Sequence, residues 1–518
     1  MKTSTKIALI ALLWITVINT GTLGSIDTRL RLEMAHAWWT GTEEVSPDYQ
    51  PKFRGDLKAG VLGVGGRRYI AYEPGQSFLM LPGDWLGTQL HPWLPTVPSK
   101  DLRYVVVNFL IFIPLNVAAV VSCFWLLRLF DFEERIAGLT SIAWLLGTTV
   151  FHYAQETQQN NQVLLFVTIG YAAALAFARN GRPRFAMFSG LALGGAFLIR
   201  ATCVIHVLTV LLFLVGCIAY QNRNKLKVLK VVGLWIVGFI PLALLGRVFD
   251  YIRYGSFWTS GQRLSVQQLT TDPIWSGLPE RDLPVNPFSN EPYIGIMGVL
   301  FSPAKSIFIY DPLLLPCLVL GIVLWKKLSP YMQWYLVTGL FNLSLHIVLT
   351  SRLVFWSGDI AWGARYHVTS VHLLLIPLLA LFMQHMLSVR GLAVWMIRGI
   401  LSVAVIVQIA SVTMSSSVEL FQKQVAMPGS RLEFRLGQRL TNIVCLINSS
   451  FSEGCIDRHP EKKPFMKDSG HLLFLPFTFN RKAAGNPVLV KLSVILFLFW
   501  GLVLILAIGT TVWFSFLG

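Results

Sequence analysis

The chain has 518 residues, 54% of them hydrophobic and only 13% charged, with a mean hydropathy of +0.59. An ordinary soluble domain carries about twice that share of charge, so the composition excludes one and points to a polytopic membrane protein. The excess of 43 Lys and Arg over 26 Asp and Glu collects in short loops between apolar runs, which makes it a topology signal and gives no reason to expect a nucleic-acid partner.

Lys2 and Lys6 precede an apolar run from Ile7 to Leu23, which reads either as a signal peptide or as a first span. The run is longer than a usual signal-peptide core and lacks an AxA-like site, so an uncleaved helix is expected. Asp27 follows at the membrane–water boundary, where a carboxylate can take a proton from a polar substrate. The alternative is an interfacial amphipathic helix: Asp27 and Arg31 are one turn apart, and Ile26, Leu30, Met34 and Trp38 form a stripe.

Further runs near 104–130, 136–152, 162–178, 185–199, 202–219, 229–248, 311–325, 331–350, 366–387, 393–414 and 489–516 bring the expected spans to about twelve. With the N-terminus cytoplasmic, the basic loops holding Arg128 and Arg135, Arg179 to Arg184, Arg223 to Lys230, Lys326 and Lys327, and Arg390 share one side. The long loops 25–103, 249–310 and 415–488 fall on the other. Their dense Pro, Gly and aromatic residues predict short interfacial or re-entrant helices.

Several polar groups are expected on that outer face: Asp27; His152 and Glu156 in FHYAQETQQNNQ; Arg200 in AFLIRATC; Lys305 in FSPAKSIF; and Trp356, Asp359, Trp362, Arg365 and Tyr366 in WSGDIAWGARYH. Singly, each has an ordinary reading. Glu156 could be a solvated turn residue, Arg200 and Arg365 could snorkel to lipid phosphates, Trp356 and Trp362 could be belt anchors, and His367 and His372 suit a helix core. Together, two acids and three cations at one boundary match what is needed to deprotonate a nucleophile while neutralising a departing phosphate. Cys445 and Cys455 share one polar loop and form either a disulfide or two free thiols. No His/Cys cluster has zinc-ligand spacing.

In order, an Asp after the first span, YEPGQSFLMLP, GLALGGAFLIRAT, GVLFSPAKSIFIYDPLLL and WSGDIAWGARYHVTSVHLLLIP resemble the bacterial GT-C superfamily of membrane glycosyltransferases. These enzymes use polyprenyl-phosphate-linked sugars, and the likeness is greatest to the branch of protein mannosyltransferases and aminoarabinose transferases. The motifs run from Asp27 to about Pro377. Asp359 stands where the family's tryptophan motif has a second Gly, Lys305 where Arg is common, and Asp27 is single where an acidic pair is frequent. The resemblance implies an all-α, GT-C-like fold and an inverting sugar transfer on the periplasmic face of a bacterial inner membrane, from a polyprenyl-phosphate sugar to a lipid, glycan or protein acceptor. It implies Asp27 as general base; Arg200, Lys305 and Arg365 as phosphate ligands; Glu156 as an orienting acid, or a holder of a divalent cation where a member needs one; and Trp356, Trp362 and Tyr366 on the sugar or lipid. His152 and Asp359 complete the expected substrate-binding set.

The expected organisation is a catalytic membrane module over 1–414, an outer loop segment over 415–488 and a last span over 489–518. The rival reading is a transporter or flippase of lipid-linked sugars. It requires polar groups inside the bilayer, for which Asn116, Asn342 and His346 are the main candidates.

Overall fold

The computed structural model describes residues 2–48, 60–221, 225–275, 286–358, 361–416, 418–419, 433–453, 455, 458–459, 471–483 and 485–517. The elements in order are α1 (Thr3–Ile18), α2 (Ile26–Thr40), a two-residue ribbon of β1 (Val61–Leu62) against β2 (Arg68–Tyr69), α3 (Gly75–Leu90) and α4 (Ser99–Val107). A π turn over Asn108–Phe112 carries α4 into α5 (Ile113–Leu129). Then come α6 (Glu134–Leu146), α7 (Val150–Glu156), α8 (Asn160–Asn180), α9 (Pro183–Ile199), α10 (Val204–Gln221), α11 (Lys225–Tyr254) and α12 (Gly261–Thr271). The second half holds α13 (Pro292–Phe301), α14 (Ile307–Tyr310), α15 (Leu314–Val323), α16 (Pro330–Ser351), α17 (Val368–Ser388), α18 (Leu392–Thr413), α19 (Arg435–Ile447), α20 (Leu475–Ala483) and α21 (Pro487–Leu517).

Every predicted apolar run is helical. Among the described residues eight helices are long and apolar enough to cross a bilayer, and α6 with α7, bent by 57° at their junction, would be a ninth. α1, α9 and α15 come from the same set of runs but are only 10–17 residues long. α13, in the loop expected to hold short helices, is a further one. The chain is an all-α, multi-pass membrane protein.

Burial follows composition. α17, apolar on every side, has 94% of its spanning window inside the protein, as a helix without a polar face should. α18 and α21 are equally apolar yet only 17% buried, so their surface is left for lipid. α1 sets Ile7, Ile10, Ala11 and Ile15 into the main core and packs against α5, α6 and α21.

The α6–α7 break has a local cause. Asp311, at the end of α14, accepts from the Thr149 backbone N–H at 2.8 Å and from Thr149 Oγ1 at 3.0 Å, capping α7 from another part of the chain. α7 then ends at Thr157, a β-branched residue at φ +55°, whose carbonyl accepts from Thr28 Oγ1 at 3.1 Å and Gln76 Nε2 at 3.0 Å.

The turn between α7 and α8 is not a solvated loop. Gln155 Nε2 donates to the carbonyls of Ile18 and Val412, both at 2.8 Å, and Gln159 Nε2 donates to that of Ile199 at 2.6 Å. The ends of α1, α9 and α18 therefore meet here, and the side-chain amides satisfy carbonyls that helix termini leave open.

Candidate active site

Ser25 caps α2, accepting from the Asp27 backbone N–H at 3.2 Å. The cap places Asp27 in the first turn, at the positive end of the helix dipole. The Tyr72 hydroxyl donates to Asp27 Oδ1 at 2.5 Å, and the Arg31 guanidinium stacks on the Tyr72 ring at 4.0 Å. Asp27 and Arg31 thus converge on one aromatic ring. The rest of α2 turns inward, Met34 packing with Val45, Ile70 and Tyr72, so the stripe expected for a surface-lying helix is partly buried instead.

Tyr72 is fixed from behind. Arg253, nearly fully buried and paired with Glu44 at 3.2 Å, donates to the Tyr72 carbonyl at 3.1 Å and also to that of Ile70. Burial first, then the Asp27 charge, push the Tyr72 phenol well above its ordinary value, so it stays a hydrogen-bond donor across the working pH range.

Two more cations complete this group. The charge of Arg365 acts on Tyr72, and the charges of Arg365 and Arg31 both act on Arg200. Burial first, with those two neighbours, holds Arg200 below its usual range. Arg365 Nη2 donates to the Tyr366 hydroxyl at 3.1 Å, and Arg200 Nε reaches Gln159 Oε1 at 3.4 Å. Gly75 allows the meeting: a Cβ there would sit 2.6 Å from the backbone of Leu198 and Ile199, so only glycine lets α3 abut the end of α9 just before Arg200.

Glu156 lies on the other flank. Its carboxylate rests on Gly24, where a Cβ would come within 2.7 Å of Oε2, and it sits in the fields of Arg439 and Arg29. Behind it is a second cluster. Trp362 is buried against Tyr310 at 4.8 Å and His152 at 6.0 Å, its carbonyl accepts from the Tyr153 hydroxyl at 2.8 Å, and Arg439 covers its ring at 5.2 Å. Arg439 is ion-paired with Glu419. Lys305 is buried beside this group, its ammonium on the Ala361 carbonyl at 2.6 Å.

The expected residues therefore fall into two neighbouring sets: Asp27, Arg200, Arg365 and Tyr366 in one, and Glu156, Lys305, Trp362 and His152 in the other. Trp356 stands apart, its ring filling the space over Gly298 of α13. Asp359 lies outside the described residues. Sequence reasoning gave no site role to Tyr72, Arg31, Arg253 or Arg439. Tyr72 stood inside the quoted YEPGQ stretch, whereas Arg439 belongs to the loop with no diagnostic motif.

Among the described residues no three His, Cys, Asp or Glu side chains gather as metal ligands. The polar residues inside the bundle pair with one another. Asn116 accepts from Asn161 at 2.7 Å, Asn342 donates to Thr209 at 2.7 Å and to His206 at 3.0 Å, and Ser370 donates to Asn342 at 2.7 Å. Those are interhelical ties. His367, bonded to Thr350 at 2.9 Å, and His372, 3.5 Å from Asp311, are core residues as well.

Cys445 and Cys455 form a disulfide that closes a loop of ten residues at the end of α19. Replacing both by Ser should cost about 2–3 kcal/mol of local stability, read as faster protease cleavage of this loop. Unchanged cleavage would mean that the helix holds without it.

No protein-family model and no curated protein matches the chain. Among solved structures it is similar to the crystal structure of ArnT from Cupriavidus metallidurans bound to undecaprenyl phosphate, with TM-score 0.43 and 12% identity over 99% of this chain and 75% of that one.

Proposed function

We propose that the chain is an integral membrane glycosyltransferase of GT-C type that transfers a sugar from a polyprenyl-phosphate donor to an acceptor at the membrane boundary. The observation that carries this reading is the set of Asp27, Tyr72, Arg31, Arg200 and Arg365, a carboxylate base set against clustered guanidiniums. As the acceptor oxygen or nitrogen attacks the anomeric carbon, Asp27 takes its proton. The bond from that carbon to the phosphate oxygen breaks, and its electron pair leaves with the polyprenyl phosphate. Arg200, Arg365 and Arg31 neutralise the released anion, which needs charge compensation more than a proton. Attack opposite the leaving group inverts the anomeric configuration. Glu156 orients the acceptor or the sugar, and Tyr366 and Trp362 flank it. The Cys445–Cys455 disulfide supports placing this face in an oxidising compartment, the periplasm of a bacterial cell.

The test is incubation of purified protein with a panel of polyprenyl-phosphate sugars and measurement of free lipid phosphate. Release of none of them by protein folded in bilayers would rule the reading out.

Tyr72→Phe gives a finer check. Loss of the donor to Asp27 removes a bond that favours the carboxylate anion, so the acid limb of kcat/KM should move to higher pH. An unmoved acid limb would separate Tyr72 from the base.

A further inference from the structure

α19 is built inside out. Its inward face is polar: Arg435, Gln438, Arg439 and Asn442, which the three- and four-residue spacing sets on one side of the helix, are all buried, Asn442 to 2% exposure. Its apolar stripe is Leu440, Ile443, Val444 and Ile447, with Leu440 exposed and Ile447 open at 85%, while Leu436 packs inward on the Tyr310, Trp362 and Val407 cluster. Phe451, just beyond, is exposed too. A helix on the surface of a soluble protein shows the reverse pattern.

The polar face has a reason to be inside. Arg439 covers Trp362, pairs with Glu419 and donates to the Ser411 carbonyl at 3.1 Å, so this face is one wall of the second cluster of the site. Among the described residues Leu440 and Ile447 are left exposed, and they continue a surface already assigned to lipid. α19 packs against α18, and α18 leaves Ile406 and Ile409 exposed toward the end where the two helices meet. We infer that α19 lies in the boundary layer of the bilayer, its Leu440–Ile447 stripe among the acyl chains and its polar face closing the site from the lipid side. The partner is the lipid bilayer itself. The disulfide after Cys445 ties the following turn back to the helix and keeps Phe451 in the same neighbourhood.

This inference needs the membrane character of the chain and not the transferase reading, and its test uses no substrate. Leu440→Cys and, separately, Ile447→Cys would be labelled with an environment-sensitive fluorophore and reconstituted at one copy per lipid nanodisc. The native free thiols Cys123, Cys203, Cys217 and Cys317 are buried and do not compete for the label. Lipids carrying a spin-label quencher near the headgroup should quench both positions at least about twofold, and lipids quenching near the chain terminus should do so less, as for a helix lying about 5–10 Å deep. Absence of quenching at both positions, in protein that is monodisperse with its disulfide intact, overturns the inference. So does quenching protection that appears only in discs holding two copies, which would give the stripe to a second copy of the chain. Two positions keep the test decisive if one label disturbs the helix.

Discussion

Replacement of Asp27 by Asn is expected to cut sugar transfer by about 10²–10⁴-fold while leaving folding intact. The amide keeps the shape of the carboxylate. Ser25 still caps α2, and the Tyr72 hydroxyl still finds an oxygen to donate to at the position of Oδ1. What is lost is the capacity to accept a proton as the acceptor attacks. Because Arg31, Arg200 and Arg365 are untouched, the donor should bind as before, so the loss belongs in kcat with KM for the donor nearly unchanged. The measurement is steady-state release of lipid phosphate beside thermal unfolding in the same detergent. Full transfer by the folded variant would remove Asp27 from the chemistry.

Asp311→Ala should be the most damaging change made outside the site. Asp311 is buried and accepts both the backbone N–H and the hydroxyl of Thr149 at the start of α7. Without the carboxylate, the buried Thr149 N–H at the helix N-terminus loses its acceptor and the hydroxyl keeps only His372 Nε2 at 3.3 Å, at a cost of about 3 kcal/mol. α7 carries His152 and Tyr153 to the Trp362 cluster and ends on Glu156, so its loosening should also lower transfer. The check is the unfolding midpoint of the variant together with its activity. Asp311→Asn, which retains one acceptor oxygen, should recover part of both. A midpoint equal to that of the unmutated protein in both variants would show that the α6–α7 bend stands without the cap.

The spans were legible because each is a local pattern. An apolar run of about 20 residues must be helical in lipid, and an Arg at its end has few places to go. Arg200 and Arg365 could be named for that reason. Their grouping with Tyr72 and Arg31 could not, because it depends on Gly75 letting α3 touch the end of α9, a contact that spacing along the chain does not encode. Glu156 read as an outer turn residue. Its turn is in fact held by Gln155 and Gln159 on carbonyls of three distant helices. Arg439 was hidden for a different reason: the helix bearing it has its polar side in and its apolar side out, and sequence periodicity reports amphipathicity without saying which face is buried.

The carbonyls that Gln155 gathers belong to Ile18 and Val412, residues far apart along the polypeptide. During synthesis the first helix is inserted with its aspartate already in sequence, but the latch that fixes it waits until some 400 further residues have emerged. Nascent or truncated chains that stop before the eleventh apolar run would carry the base and most of the cations in an unfastened arrangement. On the proposed function, a working centre would thereby be withheld from the chain's own precursors.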